Sequence, residues 1–252
     1  MFPINPLDLL TTMDRLSYVY KFKFANGQEK DFEVVLDAKS LELLRDTDVP
    51  KPEWTKLKFS QCSNCPLDDS VEYCPVAINL SRVVETFRNN DSFEQAMVTV
   101  ETPQRTYTKN VQLQKGISSL IGMIMVSSNC PIMDMLRPMA RFHLPFATSL
   151  ETFYRTVSMY LTAQYFLLRK GESPDWDLTK LLEIYKAISH VNKGMSQRLL
   201  NASDKDANVN AVVILHSFGD GVSYFIEDGL SEIKDMFSIY VDPAEKASSN
   251  PS

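Results

Sequence analysis

Glycine is scarce in this chain, at 8 of 252 residues. That counts against folds that cradle phosphate in glycine-rich loops, because close backbone approach needs residues without a Cβ. Neither G-x-x-x-x-G-K-S/T nor G-x-G-x-x-G occurs, and H-E-x-x-H and G-x-S-x-G are also missing. Their absence excludes the motif-bearing versions of those enzymes. No run of five basic residues occurs and the formal net charge is -6, so a nucleic-acid surface is not expected. The longest apolar segment, Ile117 to Val126, is about half a membrane span and predicts a buried helix with no membrane contact. The first residues lack a basic stretch followed by an apolar one, which places the protein in the cytoplasm as an expectation.

What is present is ordinary for a globular chain, with 44% hydrophobic and 23% charged residues, enough for one large core or two modest ones. Alternation over Leu16 to Phe24 and over Phe32 to Leu36, joined through Asn26-Gly27, predicts a β-hairpin. Asp37 to Leu44 reads as a short turn or helical piece. Helical spacing follows from Val76 to Phe87, then two more strands near Ala96 to Val100 and Arg105 to Val111. The second half reads as almost wholly helical. Gly116 to Ser127 is apolar with small residues, and Thr148-x-x-Glu151 is a capping box opening a helix to about Arg169. Asp177 is the expected cap of the next helix, on which Leu178, Leu181, Tyr185, Ile188, Asn192, Met195 and Leu199 form one stripe. Val209 to Phe218 and Val222 to Phe237 predict two helices broken near Gly219-Asp220-Gly221, with a strand open as the alternative for Val209 to Leu215.

The fold class is therefore α+β: a small antiparallel sheet with a cysteine-rich knuckle, packed against a mostly helical C-terminal part. The sheet region with its knuckle spans 1–111 and the helical region 112–240, the two expected to pack as one unit, and 241–252 read as a disordered tail.

The four cysteines carry the strongest chemical signal. Three stand as Cys62-x-x-Cys65-x8-Cys74, and Cys65, Cys74 and Cys130 each precede a proline. A C-x-x-C pair sets two thiolates on one side of a tight turn, and a third eight residues on can close upon it. Zinc takes four such soft ligands in a tetrahedron, so Cys62, Cys65, Cys74 and Cys130 are the expected metal ligands. His143 is the next donor should Cys130 lie elsewhere. An iron–sulfur cluster is the alternative cofactor, although the usual tight C-x2-C-x2-C run is missing. Dithiol redox chemistry at Cys62 and Cys65 is a further alternative, and four ordinary buried cysteines the plain one.

Arg141-Phe142-His143-Leu144-Pro145-Phe146 is the most unusual polar and aromatic stretch. Arg141 and His143, with Arg155 from the following helix, make a candidate pocket for a small anionic ligand. Against this, Arg155 can pair with Glu151 one helical turn away. An enzyme using His143 for proton transfer and the arginines for anion binding is the catalytic alternative. His190 and His216 suit core or surface roles. Asn192, Tyr160 and Gln164 are either buried hydrogen-bonders or pocket polar groups, and Met123, Met125, Met133, Met135 and Met139 suit core gaps or an interface between copies.

These segments carry a resemblance. Cys62-x-x-Cys65-Pro66-Leu67, Tyr73-Cys74-Pro75-Val76-Ala77-x-Asn79-Leu80, Cys130-Pro131 and Arg141 to Phe146 resemble an uncharacterised bacterial domain family. The likeness continues through Tyr160 to Phe166, Pro174-Asp175-Trp176 and Asn210-Ala211, covering about Tyr18 to Phe237. It implies one architecture and brings no activity. The expectation is a metal-stapled cytoplasmic binding or regulatory protein. Its expected partner is a small anionic ligand or another protein, with a homo-oligomer among the alternatives.

Overall fold

Strand β1 (Arg15–Phe24) buries Leu16, Tyr18, Tyr20, Phe22 and Phe24 on one face, because successive side chains of a strand point to opposite sides. Gly27, at φ +83°, supplies the left-handed residue of the turn, and the Gln28 amide donates to Asn26 Oδ1 at 3.0 Å. Strand β2 (Glu29–Asp37) returns with Phe32, Val34 and Leu36 inward. The computed structural model describes residues 14–44 and 49–241. The tail expected over 241–252 lies outside them, Val241 apart.

Helix α1 (Pro75–Thr86) begins with a proline at its first position, where no intrahelical N–H bond is lost. Strands β3 (Gln95–Glu101) and β4 (Thr106–Gln112) form a second hairpin, and all pairings are antiparallel in the order β2-β1-β3-β4. The outer face is polar: Lys21 pairs with Glu101 at 2.6 Å and Thr99 meets Thr108 at 3.1 Å. The inner face is covered by α1 and by α2 (Leu113–Val126), which starts three residues earlier than its apolar run suggests. Gly116 is required there, since a Cβ would stand 2.9 Å from both Phe22 and Val98. Phe87 completes an aromatic cluster, its ring centroid 5.0 Å from Phe22 and 5.4 Å from Phe32. Each such buried ring contributes roughly 1.5–3 kcal/mol.

A 3₁₀ turn (Met133–Leu136) and the short α3 (Pro138–Arg141) lead to α4 (Ser149–Arg169). The capping box forms as expected: Glu151 N–H donates to Thr148 Oγ1 at 3.2 Å, and Thr148 N–H to Glu151 Oε2 at 2.7 Å. Helix α5 (Thr179–Ala202) is not capped by Asp177. Leu178 holds the cap position at φ 61°, and Asp175 Oδ2 instead accepts the Lys180 amide at 2.9 Å.

Helix α6 (Ala207–Glu227) runs unbroken through Gly219-Asp220-Gly221, and Val209 to Leu215 is helical. Packing outweighs propensity here: a Cβ at Gly221 would meet the Phe153 ring at 2.8 Å. By length and composition α6 is also apolar enough to cross a membrane, and it packs against α2 and α5. Short turns α7 (Ser231–Lys234) and α8 (Ser238–Val241) follow. The main core runs continuously from the sheet through α1 and α2 to Ile188, Val191 and Met195 of α5 and Ala211 of α6. A second cluster joins α4, α5 and α6 around Phe153, Leu181 and Phe225.

Candidate functional site

The cysteine knuckle is built by local turns and held against α5. Cys65 N–H donates to Cys62 O at 3.0 Å, closing the C-x-x-C turn. Asn64 Nδ2 donates to Ala187 O at 2.9 Å, and Ser63 Oγ lies 3.0 Å from His190 Nδ1, which gives that histidine a surface anchoring role. Gly194 of α5 makes room for the knuckle: a Cβ there would lie 2.7 Å from Cys62 Sγ and 3.3 Å from its Cα. Cys74 precedes α1 and its N–H donates to Thr55 O at 2.9 Å. Cys130 follows Asn129, whose φ of 60° turns the chain at the end of α2, and its thiol accepts the backbone N–H groups of Ile132 and Met133.

All four cysteines are free thiols and all four line one small cavity of about 20 Å³, walled otherwise by Leu67, Pro75, Val76, Ile132, Val191 and Met195. Among the described residues, no three His, Cys, Asp or Glu side chains stand ready to enclose a metal ion. Burial pushes the Cys62 thiol up to about 12, and Cys74, Cys130 and Cys65 add to the shift. Burial likewise raises Cys130, against the two N–H groups that favour its thiolate.

Arg198 of α5 stands beside this cluster with 1% of its surface exposed. Its Nη1 donates to the carbonyls of Trp54 and Lys56 and its Nη2 to that of Leu57, each at 2.6 Å. Burial lowers its pKa, while Cys74, Cys62 and Cys65 oppose that shift. The sequence reading passed over this residue, although it falls three positions after Met195 on the apolar stripe.

A much larger cavity, of about 610 Å³, opens between β4, α2, α4, α5 and α6. His143 and Arg155 both line it, whereas Arg141 is exposed and outside the lining, its carbonyl accepting from the Tyr18 hydroxyl at 3.4 Å. His143 does not line the cavity of the four cysteines, and its Nε2 stands 2.5 Å from the Tyr20 hydroxyl and 3.3 Å from Ser119 Oγ. Arg155 does not bridge to Glu151, which is engaged in the capping box. Its Nη2 donates to Phe142 O at 2.6 Å and Met139 O at 3.3 Å, and its buried Nε has no partner. Met123, Met133 and Met139 line the cavity, as does Asn192. Tyr160 and Gln164 instead bind Asp175 at the turn into α5.

Burial, with Arg155 adding to it, lowers the pKa of His143 from 6.5 to about 3. Between those values the unfolded chain takes up a proton that the folded chain refuses. The stability that neutral His143 carries is therefore complete above about pH 6.5 and is lost as the pH falls toward 3. Wild-type unfolding free energy is expected to drop by up to about 1.4 kcal/mol per pH unit in that window from this residue. His143→Gln keeps a polar partner for Tyr20 and should lack that component in denaturant titrations. An equal acid loss in the variant would remove His143 as its cause.

No curated protein and no solved structure matches this chain. The model of the family described as Domain of unknown function (DUF6901) matches residues 18–238, and the chain belongs to that family.

Proposed function

We propose that this chain is a metal-stapled binding protein of the cytoplasm. Its four cysteines hold one zinc ion, and the cavity at His143 and Arg155 receives a small anionic ligand. The observation that carries the metal reading is the convergence of Cys62, Cys65, Cys74 and Cys130, from separate segments, on one small cavity. Four thiols sharing one space, those of Cys74 and Cys130 buried and those of Cys62 and Cys65 half-buried, are costly as free thiolates and suited as a donor set to a soft divalent cation. Binding would draw the thiols together around the ion, and Arg198 would offset the net negative charge of a four-thiolate centre.

Four thiolates fill the coordination of zinc, so its role would be structural: tying the knuckle to the start of α1 and the end of α2. Binding is favoured over acid–base catalysis at the larger cavity because no Asp or Glu occurs among its lining residues. Elemental analysis of protein purified without chelator tests the metal. About one zinc per chain is expected, falling sharply in Cys74→Ser and Cys130→Ser. Iron in place of zinc would select the iron–sulfur alternative, and a folded chain free of metal would end the reading.

A further inference from the structure

Three features of the large cavity point to the chemistry of its occupant. The first is charge: Arg155, Lys109 and Lys115 line it with no carboxylate among the lining residues, in a chain whose formal net charge is -6. The second is unmet hydrogen bonding. Asn192 is 2% exposed and its Oδ1 has no partner, and Arg155 Nε is buried and equally unpartnered. A buried polar atom left without a partner is costly, and native chains tolerate few of them. Rotation of the Asn192 amide presents either its oxygen or its N–H groups at the same place.

The third feature is the apolar lining. Leu215, Phe218 and Val222 of α6 line the cavity together with Met123, Met133 and Met139, whose flexible, polarisable side chains mould to an aliphatic or aromatic body. Only 28% of the apolar window of α6 is buried. The volume of about 610 Å³ lies within the range of small-molecule sites.

We infer that the cavity binds an amphipathic carboxylate, with its headgroup at Arg155 and Asn192 and its apolar body along α6. This rests on the binding half of the proposed function and is independent of the zinc. A carboxylate accepts from a guanidinium in a charge-assisted bond, whereas an alcohol of the same chain length lacks the charge. His143, neutral at physiological pH, adds a polar edge without competing for the anion.

Isothermal titration of the full chain with decanoate, 1-decanol and decylamine tests the inference. Decanoate is expected to bind, 1-decanol about tenfold more weakly, and decylamine more weakly still. Arg155→Gln should reduce decanoate affinity by about tenfold while leaving 1-decanol unchanged. Because Arg155 also holds two carbonyls, Asn192→Leu serves as a second variant and should weaken decanoate by several-fold. Failure of decanoate to bind, or equal binding of all three probes, would overturn the inference. Zinc content measured on the same samples separates the two readings. Decanoate binding by a zinc-free chain leaves this inference standing and ends the staple, whereas a zinc-loaded chain blind to decanoate does the reverse.

Discussion

Replacing Arg198 with methionine is expected to cost about 3–5 kcal/mol of folding stability. Methionine keeps the length and apolar stem of the side chain, so the loss would come from the guanidinium. Three carbonyls, those of Trp54, Lys56 and Leu57, depend on it at 2.6 Å each. Trp54 and Leu57 lie in two 3₁₀ turns, Glu53–Thr55 and Leu57–Phe59, that Lys56 links, and turns so short leave carbonyls in need of an outside donor. Relief from burying a charge offsets part of the loss, which is why the expected figure lies below the sum of three charge-assisted bonds. Arg198→Lys should recover only part, because an ammonium cannot reach three acceptors with the planar fork of a guanidinium. Urea unfolding of both variants measures this, and a methionine variant weakened by less than about 1 kcal/mol would show that the turns hold without Arg198.

If the four cysteines hold zinc as proposed, stripping it is the second large effect expected. Structural zinc supplies about 10–16 kcal/mol to peptides that have no other source of order. This chain has a continuous core from the sheet to α5 and α6, so only part of that energy would be needed for folding. A loss on the order of 3–6 kcal/mol is expected on complete chelation. It should also be local. Amide exchange is expected to accelerate at Cys65 and at Ile132 and Met133, whose N–H groups close the turns around the thiols. The amides of Phe22 and Val98, in the centre of the sheet, should keep their protection. An unchanged melting temperature and unchanged exchange after full zinc removal would remove the ion from the structural account.

What the sequence made legible was local. Alternation, the Asn26-Gly27 turn and the Thr148 capping box each depend on residues a few positions apart, and each formed as read. Helix α6 was misread because glycine in a helix lowers propensity by about 1 kcal/mol, while the reason for the glycine lies on another helix, in the Phe153 ring. Asp177 is the expected cap by its place before the helix, but Leu178 takes the cap position in a left-handed conformation and Asp175 accepts the Lys180 amide instead. Among the candidate site residues, His143 and Arg155 reach one cavity through tertiary packing, and Arg141, two positions from His143, is exposed and outside its lining. Arg198 has three carbonyl partners more than a hundred positions away in the chain, a relationship no local spacing encodes.

The order of strands has a consequence for how this chain reaches its native state. Both hairpins are local, but the seam joining them pairs Val19 with Glu101 and Phe24 with Ala96. Hairpins close within about microseconds, whereas a seam of such sequence separation must wait for the intervening chain to be looped out. During synthesis β1 can pair with β2 first, which leaves the backbone N–H and C=O groups of its other edge unpaired, beside the tyrosines and phenylalanines of its inner face, until β3 emerges. An open apolar strand edge is a template for pairing between chains. That edge stays open until the chain has been made to Glu101, and Cys130, later still, joins the other three cysteines only after the seam can close.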